Sequence, residues 1–342
     1  HTIWVWIMKL IDLVKYRNTL SRIISSNQDL VDYQKIERPI FQELERFNAT
    51  VNLASIDIDN IKQSMHNKQQ DILKNLSELY VDLNRFILKL EKMIADIEQQ
   101  YYDQSITISN NNLEKSWENK MHDFNYGDLF ITPPYLKKQE QSIPQKTFMG
   151  AMRKHISFQW PGLEIGPSAG MLTEHLVALD PLYIADNSVD GFIEVKKLWK
   201  QDYQRRLRYY VLDDSLENPF HLFPKEQLGF ILSFDWFNFK TQSTIELYVK
   251  HAFDILRPGG AMLFTYNNCN YPKAIDKVDK MHYTYTNGNT LKQFCESVGF
   301  EIASSYDGEK EINWCVSYLE LQKPGTRTSL RGGQNLGAIN RL

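Results

Sequence analysis

The apolar positions of this chain follow two rhythms, and the change between them falls near residue 127. From Pro39 onward apolar residues recur every seven positions, at Leu44, Val51, Ile58, Met65, Ile72, Leu79, Phe86 and Met93, with a companion row at Ile40, Phe47, Ala54 and Ile61. Further along the better row is Leu76, Tyr80, Leu83, Ile87, Leu90, Ile94, Ile97 and Tyr101, in four-three alternation. This is heptad spacing, which packs one helix against another along a seam. The shift of row between Ile61 and Leu76, where Lys68, Gln69 and Asn75 dilute the apolar positions, predicts a stutter. Pro39 suits the first turn of such a helix. A continuous helix over 39–104 would reach ~95 Å, more than a domain of this size can bury. The pattern therefore predicts self-association or a partner protein along the 39–104 helix, or a hairpin folded back near His66–Gln70.

Ahead of it, Thr2–Val14 is rich in apolar residues but broken by Lys9 and Asp12, and falls short of the ~20 residues of a bilayer span. It reads as a buried or oligomer-facing helix within an N-terminal helical segment, 1–38, with no membrane span. No small-residue cleavage site follows it, as a secretory signal would require. The first residue is His, which suggests a processed, truncated or tagged start.

No glycine occurs before Gly127, and Pro39 is the only proline before Pro133. Residues 105–145 are rich in Asn, Gln and Ser and read as a linker, with Trp117, Phe124, Tyr126, Phe130 and Tyr135 holding it to a surface. From 146 to 324 short apolar strands alternate with amphipathic helices, the mark of an α/β domain. The tail, 325–342, is rich in glycine and arginine and reads as a flexible extension.

Net charge is −3, which gives no general attraction to nucleic acid or to an anionic membrane. Arg205, Arg206 and Arg208 form a small basic group best read as a helix end or strand start. The three cysteines, Cys269, Cys295 and Cys315, have no metal-knuckle spacing, and their scatter fits a reducing, cytoplasmic setting.

The chemistry centres on LEIGPSAG, from Leu163, where a strand runs into a small-residue turn and an amphipathic helix carrying Leu172, Leu176, Val177 and Leu179 is expected to follow. Gly166, Ser168 and Gly170 sit two apart, so the dinucleotide fingerprint G-x-G-x-x-G does not fit. The nucleophile elbow G-x-S-x-G does match by letter, with Ser168 as nucleophile, but the helical region upstream lacks the strands and HGGG-type segment of a hydrolase. The third claimant is the E/D-x-G-x-G-x-G motif of class I S-adenosylmethionine-dependent methyltransferases, with Ser168 in place of the central glycine.

The domain resembles that family along a little over half of the chain. The resemblance implies a seven-stranded, mostly parallel Rossmann-like sheet and S-adenosylmethionine as cofactor. It implies that Glu164, Gly166, Ser168 and Gly170 form the first binding turn. Asp186, 22 residues beyond Glu164, would accept the ribose hydroxyls. LRYYVLDDS ends in Asp213 and Asp214, either of which could meet the adenine amino group, and GFILSFDWFNF brings Ser233 to the methionine portion. Leu256–Gly260 resembles the family's turn before strand five, and TLKQFCESVGFEI followed by INWCVSYLELQ its ending.

In the implied reaction the acceptor attacks the sulfonium methyl group in line, and a base is needed only for a protonated acceptor. Asp235, Tyr266 and His282 are the candidates by position. Ser233-Phe234-Asp235-Trp236 stands where amino-methylating DNA enzymes carry D/N-P-P-Y/F, so that likeness fails. TPPY at Thr132–Tyr135 lies ahead of the glycine motif and reads as a linker turn. Phe234, Trp236, Phe237 and Phe239 crowd the expected acceptor mouth, which suits a small molecule, a glycan or a protein side chain, though half of them should face the core. The layout also resembles proteins of tailed bacteriophages and surface-glycan clusters, where such a domain could serve as a virion or assembly component without turnover.

Overall fold

The computed structural model describes residues 10, 12–22, 72–114, 143–167, 170, 172–307 and 317–326. The heptad rows before residue 72, most of the expected linker, Ser168, Cys315 and the tail from 327 lie outside them. The chain divides into two compact units, 1–100 and 101–342.

In the first unit, residues 12–22 are helical, and helix α1 begins at Ile72. Of the predicted seam, Leu83, Leu90, Ile94 and Ile97 are buried, as is Phe86 beside it. The helix does not stop at 104 but runs to Glu114. Composition alone placed 105–114 in the linker, yet Ser105 and Ile108 continue the row from Tyr101 and are buried. Ser105 Oγ donates to the Tyr101 carbonyl at 2.8 Å, which suits a small polar residue to a packed helical face.

The second unit opens with α2 (Ile143–Arg153) and is built on β1 (Gly162–Ile165), β2 (Leu182–Asp186), β3 (Leu207–Val211), β4 (Leu228–Ser233), β5 (Leu256–Tyr266), β6 (Glu301–Tyr306) and β7 (Ser317–Gln322). The sheet order is β3-β2-β1-β4-β5-β7-β6. Every strand is parallel to its neighbour except β7, which runs antiparallel to both β5 and β6. The mostly parallel, seven-stranded sheet expected from the sequence is therefore present. α3 (Asp190–Leu198) and α4 (Gln201–Gln204) link β2 to β3; α5 (Gln242–Ile255), α6 (Pro272–Asp279) and α7 (Gly288–Val298) follow β4 and β5.

Helices cover both faces, so the central strands read as continuous apolar runs rather than alternating ones. Leu163, Ile165, Ile231 and Met262 meet Ile245, Val249 and Leu291 on one face. Leu182, Phe230 and Leu263 meet Phe148, Leu176 and Phe192 on the other. Thr241 caps α5 by accepting from the Thr244 N–H, and Gly299, at φ 110°, closes α7 in the left-handed conformation that favours glycine.

Two local expectations change. After β1 the chain makes a single 3-10 turn, Thr173–Leu176, in place of an amphipathic helix. Only residues 166–181 are available to return to β2, and Leu172, Leu176 and Leu179 bury their side chains without a longer helix. Leu256–Gly260 does not precede β5 but opens it as a bulge: the register steps from Leu228↔Leu256 to Phe230↔Ala261, with Gly259 at φ 71°.

Candidate functional site

β1 lies between β2 and β4, where the strand order reverses, so the carboxyl ends of these strands open onto the crevice in which α/β sheets bind ligands. Gly166, Gly170, Asp186, Asp213, Asp214, Ser233 and Asp235 stand at or just beyond the strand exits around it. Leaving β1, Gly166 has φ 68° and Gly170 φ 81°. The Gly166 N–H donates to the Ala185 carbonyl on β2, and the Gly170 N–H to the Pro167 carbonyl, each at 2.8 Å. A side chain at Gly166 would collide with Trp236, 2.5 Å from its Cγ and 2.6 Å from its Cβ. Glycine is needed there both for its backbone and for that approach.

At the exit of β2, half-buried Asp186 accepts the Ser188 N–H through Oδ1 at 3.3 Å. Beyond β3 the two aspartates part. Asp213 is exposed, accepts the Ser215 N–H at 2.9 Å and its hydroxyl at 2.6 Å, and those bonds hold its carboxyl below the usual range. Asp214 turns inward and accepts Lys240 Nζ at 2.6 Å, the Tyr248 hydroxyl at 2.7 Å and Asn187 Nδ2 at 3.1 Å. Burial pushes the Lys240 ammonium's pKa down, against the opposing pull of Asp214.

At the exit of β4, Ser233 is fully buried and Asp235 has φ 58°, an uncommon conformation for an aspartate. Its N–H donates to Thr265 Oγ1 at 2.7 Å, and its Oδ1 accepts the Tyr283 hydroxyl at 2.9 Å and Asn238 Nδ2. Phe234 and Phe237 belong to the core, whereas Trp236 and Phe239 are half-buried, so the aromatic run splits as its spacing suggested.

Other candidates stand apart from this group. Glu164 is buried within β1 and accepts the Thr173 hydroxyl at 2.6 Å; burial raises its carboxyl to about 8 despite that bond. Tyr266 shares the core face of β5 with Met262 and Phe264, and it is Thr265, on the opposite face, that reaches Asp235. His282 is exposed, and its neighbour Tyr283 makes the contact with Asp235. Sequence reasoning passed over Asn187, Lys240, Tyr248 and Tyr283. Only Asn187 carried a signal, its place beside Asp186.

Among the described residues no group of His, Cys, Asp and Glu could hold a metal ion, and no helix is long and apolar enough to cross a membrane. The strand exits bring together two positive-φ glycines, a partly accessible carboxylate at Asp186 and a second, lysine-paired carboxylate at Asp214. Trp236 packs against Gly166, and Lys240 reaches Asn187, Asp214 and the Trp236 ring.

No protein-family model and no curated protein matches the chain. Among solved structures it is similar to the N-methyltransferase NodS of Bradyrhizobium japonicum WM9 in complex with S-adenosyl-L-homocysteine, at 13% identity over 60% of this chain and 99% of that one, with a TM-score of 0.41. It is similar to Haemonchus contortus phosphoethanolamine N-methyltransferase 2 in complex with S-adenosyl-L-methionine, at 13% identity over 61% of this chain and 60% of that one, with a TM-score of 0.43. An S-adenosylmethionine-dependent methyltransferase from Mesorhizobium loti shares 9% identity over 52% of this chain and 96% of that one, with a TM-score of 0.42. Similarity at these levels leaves the site to be read from its own residues.

Proposed function

We propose that the domain over 146–324 binds S-adenosylmethionine in the crevice above β1, β2 and β4 and transfers its methyl group to a small molecule, a glycan or a protein side chain. The observation that carries this reading is the convergence of Gly166, Gly170, Asp186 and Asp235 on consecutive strand exits around one topological switch point. When bound, the cofactor supplies an activated methyl group. The chain's own task is then to bind, orient and exclude water.

In this reading the turn from Gly166 to Gly170 receives the amino-acid arm, with Ser168 within it. Asp186 accepts the ribose hydroxyls, since paired carboxylate oxygens match a vicinal diol. Of the two acids beyond β3, Asp214 faces the crevice. Ser233 and Asp235 border the acceptor, and Asp235, hydrogen-bonded by Tyr283 and Asn238, takes a proton from an acceptor that carries one. The N-terminal region, including α1, is an arm for self-association or for a partner protein, and the setting is the cytoplasm or, for a phage-encoded chain, the virion.

A second reading, a binding or assembly module without turnover, is favoured by the way Trp236 packs against Gly166 and Lys240 pairs with Asp214. Calorimetric titration with S-adenosylmethionine tests the cofactor site that the enzyme reading requires, and methyl transfer to an acceptor separates an enzyme from a module that only binds. Micromolar binding that disappears in Asp186→Ala supports the enzyme reading. No binding by well-folded protein removes it and turns attention to the arm.

A further inference from the structure

The exits of β1, β2 and β3 are joined through one lysine that follows β4. Lys240 lies between the turn Phe237–Phe239 and the Thr241 cap of α5, and its backbone is pinned at both ends: its N–H donates to the Phe237 carbonyl at 3.1 Å and its carbonyl accepts the Thr284 hydroxyl at 2.6 Å. The side chain is 4% exposed. Its ammonium, with three N–H donors to place, reaches Asn187 Oδ1 at 2.5 Å and Asp214 Oδ2 at 2.6 Å. It also stands 4.2 Å from the centroid of the Trp236 ring. Trp236 in turn fills the concavity that the missing side chain of Gly166 leaves. A desolvated ammonium shared by a carboxylate and an indole face is held more firmly than a surface ion pair. The acceptors it uses follow β2 and β3, beside Asp186, where the hydroxyl and amino donors of a nucleoside would need them.

The geometry points to Lys240 as an internal ligand: its ammonium takes the donor positions a nucleoside would fill, Trp236 closes over Gly166 beneath it, and a nucleoside enters by displacing both together. This rests on the nucleoside-binding reading above, and it makes Lys240 the residue that sets the affinity of the crevice. A site that is open for only part of the time binds more weakly in proportion to its open fraction. Lys240→Met keeps much of the apolar stem and deletes the donors, while Asp214 retains Tyr248 and Asn187.

The first test needs no ligand. Acrylamide quenching of tryptophan fluorescence is measured on the full chain, with Trp236→Phe as the reference that isolates the share of Trp236. Lys240→Met is expected to expose Trp236 to the quencher, and an unchanged share overturns the latch. Titration with S-adenosylhomocysteine follows. Lys240→Met should bind on the order of tenfold more tightly than the unaltered chain, as for a site open about a tenth of the time. Equal or weaker binding by a variant that still melts cooperatively overturns the proposal.

A third readout uses the unaltered lysine. Saturation with S-adenosylhomocysteine should change the emission assigned to Trp236, and binding without that change overturns displacement even if Lys240→Met fails to fold. If neither protein binds while Lys240→Met still frees Trp236, the nucleoside reading falls, and the role of Lys240 as competitor falls with it, leaving the stack as packing.

Discussion

Burial acts in the same direction on two glutamates of the sheet, with opposite results. Glu164 has Thr173 as its hydrogen-bond donor, and burial raises its carboxyl from 4.5 to about 8. The folded chain therefore favours the neutral acid, and the stability it lends is complete below pH 4.5 and lost as pH rises through about 8. Glu164→Gln, neutral at every pH, should flatten the fall of Tm between pH 5 and 9; an equally steep fall in both proteins would place its source elsewhere. At Glu320 burial also acts upward, but the hydrogen bonds from His155 at 2.8 Å and Ser304 at 2.5 Å, with the Lys154 charge, outweigh it and hold the carboxyl at about 2. Its contribution is present above pH 4.5 and lost as pH falls toward 2. Glu320→Gln should cost about 2 kcal/mol at pH 7, with the gap to the unaltered chain closing in urea titrations as pH drops from 4.5 to 2. Gly166→Ala combines a strained backbone with a collision against the indole, so a loss of about 1–3 kcal/mol is expected, with a shift in tryptophan emission as Trp236 moves.

The last turns of α1 show what periodicity conveys about an element and what it leaves out. Tyr101 stacks on Tyr285 with ring centroids 5.2 Å apart, Gln104 Nε2 donates to the Val278 carbonyl at 2.8 Å, and the Tyr285 N–H donates to Ser105 Oγ at 2.7 Å. These bonds brace the segment that carries Tyr283 to Asp235. Ser105→Ala would leave a buried N–H without its acceptor, at a cost of about 1–3 kcal/mol. Hydrogen exchange across 283–287 should quicken in that variant, and unchanged protection would show that α1 does not brace the segment. The heptad row placed Tyr101 on the packed face correctly. The Asn- and Ser-rich composition beyond it concealed that the same face continues, because a serine serving a tertiary bond resembles a loop residue when its partner lies 180 positions away. The crossover after β1 misled in the opposite sense, since Leu172, Leu176 and Leu179 satisfy a helical pattern that a single tight turn also satisfies.

At the scale of the whole molecule, the α/β class was legible because strands and helices alternate locally and announce their ends. Gly166, Gly170, Asp186 and Asp235 stood out as candidates for the same reason: each sits at or just beyond the end of a strand. Lys240, Tyr248 and Tyr283 come to the crevice from other elements, and no local spacing marks them. If the crevice binds S-adenosylhomocysteine, ligand at a hundred times its Kd should stabilise the fold by about 2.7 kcal/mol. That is a rise of a few degrees in Tm that Asp186→Ala should abolish.

The placement of β7 has a consequence for how the chain is made. Ser317–Gln322 pairs with β5 on one side and β6 on the other, so the last strand of this sheet to leave the ribosome is inserted between two made earlier. Until it emerges, the edge of β5 from Ala261 to Tyr266 and β6 both lack their partner in this sheet, which leaves a template for association between nascent chains. Completion of the sheet thus waits on the end of the domain's synthesis, and a chain stopped before Ser317 should collect in the insoluble fraction however sound its first five strands are.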